Sequence, residues 1–125
     1  MKSIHLVLLG TAVLVSGDAF DIGTTAIALL DPAFRGDFIE ATNPFIRLLM
    51  YNLGLGTNGF FIGIVVSMAI DILIVYATYS QSQSYNLSGA SFFSALFFLF
   101  LLGIGHWAAG YGNLTLLMQY APFGF

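Results

Sequence analysis

The sequence predicts an all-α integral membrane protein with three transmembrane helices and one short interfacial or re-entrant helix. Three observations carry this expectation. Hydrophobic residues make up 58% of the 125 and charged residues only 7%, where a soluble domain carries about a quarter. Mean hydropathy is +0.92. The apolar residues also gather into three stretches, each long enough to cross a hydrocarbon core that needs roughly 20 residues. Such a chain is a single transmembrane domain over residues 1–125, with short connections and little mass outside the bilayer.

The first stretch opens like a secretory signal, with Lys2, an apolar run and small residues. The apolar character resumes after Asp21 through IGTTAIALL, however, so a retained helix over about 4–30 is expected. Pro32 disfavours helix at Asp31 and ends it. The segment that follows, DPAFRGDFIEAT, holds Asp31, Arg35, Asp37 and Glu40 and is the charged loop of the chain. Asn43 followed by Pro44 reads as a helix cap with proline at the first helical position. It opens a short helix over about 44–53, closed by Gly54 and Gly56 and too short to cross a bilayer. Its Arg47 is placed to reach headgroups, Glu40 or Asp37.

Thr57 or Asn58 caps a second span over about 58–79, which ends in Tyr76 and Tyr79, a pair suited to the membrane interface. The linker SQSQSYNLSG is polar and uncharged. A third span over about 90–118 is dense in phenylalanine at first and then smaller and more polar through GHWAAGYGN, and the aromatic tail is expected at the interface. The positive-inside comparison sets Lys2 and the terminal amine against Arg35 and Arg47. The N-terminus is expected inside, in a prokaryotic cytoplasmic membrane.

Composition also excludes functions. Three basic residues against six acidic ones leave no surface for phosphates, so nucleic acid is not a partner. The absence of cysteine removes disulfides, thiolate nucleophiles, iron–sulfur clusters and covalently attached haem. No catalytic spacing or metal-site signature stands in the sequence, and no cofactor is predicted from it.

A carboxylate near mid-span costs on the order of 2.5–3.5 kcal/mol on insertion scales and needs a partner or a use. Asp18 and Asp21 share a helical face with Thr11 and Thr25. In the second span Gly59, Gly63, Ser67 and Asp71 follow at i+4 steps, a close-packing ridge that leads to a carboxylate. In the third, His106, Gly110 and Asn113 share a face. Asp18, Asp21, Thr25, Asp71 and His106 therefore form the candidate intramembrane polar site. Structural glue is the plainer reading of each. The similar depth of Asp18, Asp71 and His106 leaves open a proton relay or a divalent metal.

The order Asp21-Ile-Gly-Thr24-Thr25, then Glu40, then Asn43-Pro44, then a glycine-bearing span, resembles a family of small bacterial and archaeal membrane proteins of unknown function. The resemblance covers roughly residues 18–76. It implies no activity, but it groups Asp21, Thr25, Glu40, Asn43 and Pro44 as one constellation, which with Arg47 would anchor the short helix to the first span.

Two functions follow as expectations. The first is a non-catalytic accessory subunit packed against larger membrane subunits, in an oxidising or energy-converting complex, its partners being the lipid bilayer and those subunits. Phe92, Phe93, Phe97, Phe98 and Phe100 give it a face broader than three helices need. The alternative is a homo-oligomeric transporter, channel or proton-handling module that uses the Asp and His residues.

Overall fold

The computed structural model describes residues 3–30, 44–83 and 89–120. Helix α1 is Ser3–Leu30, α2 is Pro44–Arg47 and runs on as a π-helical turn Leu48–Asn52, α3 is Thr57–Gln83, and α4 is Gly89–Tyr120. No strand occurs among the described residues. The helices α1, α3 and α4 are long and apolar enough to cross a membrane, so the protein is an all-α, multi-pass membrane protein. Helix α3 runs four residues past the expected Tyr79. The polar residues there sustain the turn, with the Ser82 hydroxyl donating to the Tyr79 carbonyl at 2.6 Å. Glu40, Asn43, the linker at 84–88 and the tail at 121–125 lie outside the described residues.

Helices α1 and α4 run parallel, and their contacts advance together. Gly10 lies beside Leu99, Gly17 beside Gly103, and Phe20 beside Gly110. Along α1 the inward positions are Val7, Gly10, Leu14, Gly17, Asp21, Thr24 and Ala28. Along α4 they are Phe92, Leu96, Leu99, Gly103, His106, Gly110, Asn113 and Leu117. Steps of three and four alternate throughout both. This is the 3.5-residue period that lets one stripe of a helix stay against its partner over many turns. Small residues on the seam let the backbones meet. A Cβ on Gly17 would lie 2.6 Å from the Gly103 carbonyl oxygen, and one on Gly103 would lie 2.9 Å from the Leu14 amide nitrogen.

The apolar core occupies the half of the bundle where α1 begins. Val7, Leu14, Phe92, Leu96 and Leu99 are buried there, and Ile74 and Val75 of α3 pack against them. Thr78 is fully buried beside them. Its hydroxyl donates to the Ile74 carbonyl at 2.7 Å, which keeps a polar group satisfied where no water reaches.

The other half is organised by α2. Pro44 opens it, and positive φ angles at Gly54 (66°) and Gly56 (54°) turn the chain back into α3, a conformation in which glycine bears no Cβ penalty. The Gly56 amide donates to the Met50 carbonyl at 2.9 Å. A Cβ on Gly59 would stand 2.7 Å from the Leu49 carbonyl carbon, and one on Gly63 would meet Ile46. The small-residue ridge of α3 thus receives the short helix at its Gly59 and Gly63 end, and no second span. Arg47 is exposed.

Gly17→Leu should overpack the seam and destabilise the bundle by about 1–3 kcal/mol. Phe97→Leu, at a side chain 63% exposed, should change stability by less than about 0.5 kcal/mol. Reversible unfolding in mixed detergent micelles, followed by far-UV circular dichroism, measures both.

A candidate intramembrane cation site

The middle of the bundle carries a polar cluster contributed by all three spans. Helix α1 supplies Asp18, Asp21, Thr24 and Thr25, α4 supplies His106 and Asn113, and α3 supplies Asp71. Asp18, Asp71 and His106 all stand near the middle of their helices.

His106 is the centre of the cluster. Its Nδ1–H donates to Asp21 Oδ2 at 3.0 Å, and Asp18 Oδ1 stands 3.9 Å from the same nitrogen. On the other side of the ring, Nε2 faces Asp71 Oδ2 at 3.7 Å. The bond to Asp21, a carboxylate that accepts, puts the proton on Nδ1 and leaves the Nε2 lone pair toward Asp71. Asp21 is in turn held by Asn113, whose Nδ2 reaches Asp21 Oδ1 at 3.1 Å. The same amide nitrogen lies 3.2 Å from Thr24 Oγ1 and 2.9 Å from Thr25 Oγ1. A network of this kind fixes the imidazole plane and the Asp21 carboxylate together.

Asp18 and Asp71 differ from Asp21 in lacking donors. Among the described residues, Asp18 Oδ1 and Asp71 Oδ2 are buried without a hydrogen-bond partner. Asp71 as a whole is 8% exposed. Three carboxylates therefore surround one imidazole, and a single imidazolium offsets only one of them. The remaining negative charge, inside the bundle, has to be met by protons or by a cation.

Most of the cluster borders a cavity of about 800 Å³. Asp18, Asp21, Thr25 and His106 line its polar end, with Asn113 and Ser67 beside them. Phe45 and Ile46 of α2 line the far end, and Gly63 and Phe60 contribute the α3 wall. The apolar core closes the bundle on the opposite side of the cluster, so the cavity extends from mid-span toward the face that carries α2.

Of the residues singled out in the sequence, Asp18, Asp21, Thr25, Asp71 and His106 are brought together here. Ser67 and Gly63 border the cavity, and Gly59 lies against α2. Thr11 stands apart, its hydroxyl donating to the Val7 carbonyl at 2.8 Å. Thr24 and the amide role of Asn113 are additions that the sequence reading did not assign. The signal for both was the heptad step, since Leu99, His106 and Asn113 are seven apart, as are Gly10, Gly17 and Thr24. The indole of Trp107 flanks the seam, donating from Nε1 to Ser16 Oγ at 3.1 Å and stacking at 5.1 Å on Phe20.

No protein-family model, curated protein or solved structure matches the chain.

A double-mutant cycle of Asp21→Asn with Asn113→Leu should give a coupling of about 0.5–2 kcal/mol in thermodynamic stability. Additive losses would mean that the amide does not support the carboxylate.

Proposed function

We propose that this chain is a small cation-handling membrane protein whose binding site is the Asp18–Asp21–Asp71–His106 cluster. One observation carries the reading. Two buried carboxylate oxygens of the cluster have no hydrogen-bond donor among the described residues. A cluster kept only to tie helices together would be expected to satisfy its buried oxygens, because each unpaired one costs about 1–3 kcal/mol. A bound proton or metal ion supplies the missing positive partner. Three spans do not enclose a complete pathway, so passage across the bilayer requires a second copy or a partner chain. The reading takes the N-terminus as inside a prokaryotic cytoplasmic membrane, which turns α2 and the cavity outward. The grouping of Asp21 and Thr25 with Glu40, Asn43 and Pro44 belongs to the same proposal, as the likeness to a membrane family of unknown function that implies no activity.

A second reading, an accessory subunit of a larger membrane complex, is favoured by the outer face of α4. Phe93, Phe97, Phe98, Leu101 and Ile104 are all exposed there, and a protein partner or lipid can cover them.

Proteoliposomes containing the full chain should take up protons or Mn²⁺ faster than empty vesicles, read with internal pyranine or calcein. Asp71→Asn should lower the rate at least about tenfold, and equal rates with and without protein would remove the reading. For the second reading, mild-detergent extraction of native membranes should give a large particle with stoichiometric partners. A homo-oligomer would exclude it.

A further inference from the structure

The cluster has the composition of a specific kind of site. One donor atom each from Asp18, Asp71 and His106 lies within 4.8 Å of the other two. We propose that these three residues bind one first-row divalent transition-metal ion, with Asp21 and Asn113 as its supporting shell. The inference rests on the cation reading above and gives that cation a chemical class.

Four features of the cluster support the class. The first is charge. Two ligand carboxylates match the charge of a doubly charged ion, so the filled site leaves only the Asp21 charge, which the His106 N–H and the Asn113 amide offset in part, whereas a monovalent ion would leave one negative charge more. The second is donor type. An imidazole nitrogen with two carboxylate oxygens suits zinc, iron(II), cobalt(II) or manganese(II) better than magnesium or calcium, which take oxygen ligands almost throughout.

The third is orientation. Ligating histidines usually donate their other ring N–H to a carboxylate, which fixes the tautomer and raises the basicity of the ligating nitrogen. His106 does this with Asp21 at 3.0 Å, and Asn113 holds Asp21 from behind at 3.1 Å. The nitrogen left over, Nε2, is the one turned toward Asp71.

The fourth is the state of Asp71, which is independent of the cluster's composition. Asp71 is 8% exposed as a residue, and its Oδ2 is buried, has no hydrogen-bond donor among the described residues and points at the imidazole. Binding requires the two aspartate side chains to rotate until their donors stand at the ~2.0–2.2 Å that such ions need, with Asp18 coming round from the Nδ1 side of the ring and Asp71 already on the Nε2 side. Three protein ligands leave further coordination positions open, as in metal sites that exchange water or cargo and unlike closed four-ligand structural sites.

The test uses the purified full chain in nanodiscs with Co²⁺ alone as the probe. One Co²⁺ should bind per chain and give a visible d–d absorption band that Zn²⁺ abolishes and a hundredfold excess of Mg²⁺ does not. Asp71→Asn and His106→Gln should each weaken binding by at least about 100-fold. Asp21→Asn, which touches only the supporting shell, should weaken it by about 10- to 100-fold. Ser82→Ala, remote on α3, should bind as the unaltered chain does. Far-UV circular dichroism and gel filtration report whether each variant is folded, and Asp18→Asn replaces any that is not. Substoichiometric Co²⁺ on the folded, unaltered chain overturns the assignment, as does full binding by folded His106→Gln. If Co²⁺ does not bind while proton uptake still depends on Asp71, the metal inference fails and the cation reading stands. If neither occurs, both fail.

Discussion

Two parallel helices come to backbone contact where small residues stand on their seam, and α1 and α4 meet in this way at Gly17 and Gly103. That approach sets the spacing of everything beside it on the seam. One heptad step along α4 from Leu99 lies His106, and one step along α1 from Leu14 lies Asp21. With the backbones this close, their side chains span the gap directly at 3.0 Å. A bulkier pair of seam residues at this level would hold the helices apart and break the contact between ring and carboxylate. The polar network is thus a result of apolar packing immediately beneath it.

The bundle is asymmetric about the cluster. On the side where α1 begins, Ile74, Val75 and Thr78 bring α3 against the α1–α4 pair. On the other side α2 rests on the start of α3 through Gly59 and Gly63, and a cavity separates α3 from the pair. Asp71 lies where the packed half ends and the cavity begins, which accounts for both its burial and its lack of donors. It is placed by α3 and faces the His106 ring at 3.7 Å, with no hydrogen bond to its Oδ2 among the described residues. The His106 ring, by contrast, is fixed from α1 through Asp21.

The three spans were legible because hydrophobic length is a local property that no tertiary contact can mask. The short helix was legible for a similar reason, since proline and paired glycines mark its ends. The seam was less so. Reading the polar residues of α1 by their seven-residue recurrence selects Thr11, Asp18 and Thr25, whereas the helix contact runs one residue over, through Gly10, Gly17 and Thr24. Both stripes contain the same period, and only the partner helix tells which one faces inward. The ridge of Gly59 and Gly63 shows the same limit, because a sequence reveals that a face is small without revealing that a four-residue helix covers it. Asn113 stayed unassigned because an asparagine in a span has many acceptable partners. Its role depends on Asp21 and two threonines some 90 positions away.

The seam also reverses the usual relation between size and replaceability. In a soluble core the large side chains are the ones that tolerate least. Here the outer phenylalanines of α4 meet whatever apolar medium surrounds them and can drift to leucine or isoleucine at little cost. Gly17 and Gly103, where a Cβ would meet the backbone of the facing helix, have no substitute of comparable size. Over time such a chain loses most of its apolar identity while keeping its period. Distant relatives would then be recognised by the rhythm of glycine, aspartate, histidine and asparagine along two helices, and hardly at all by overall identity.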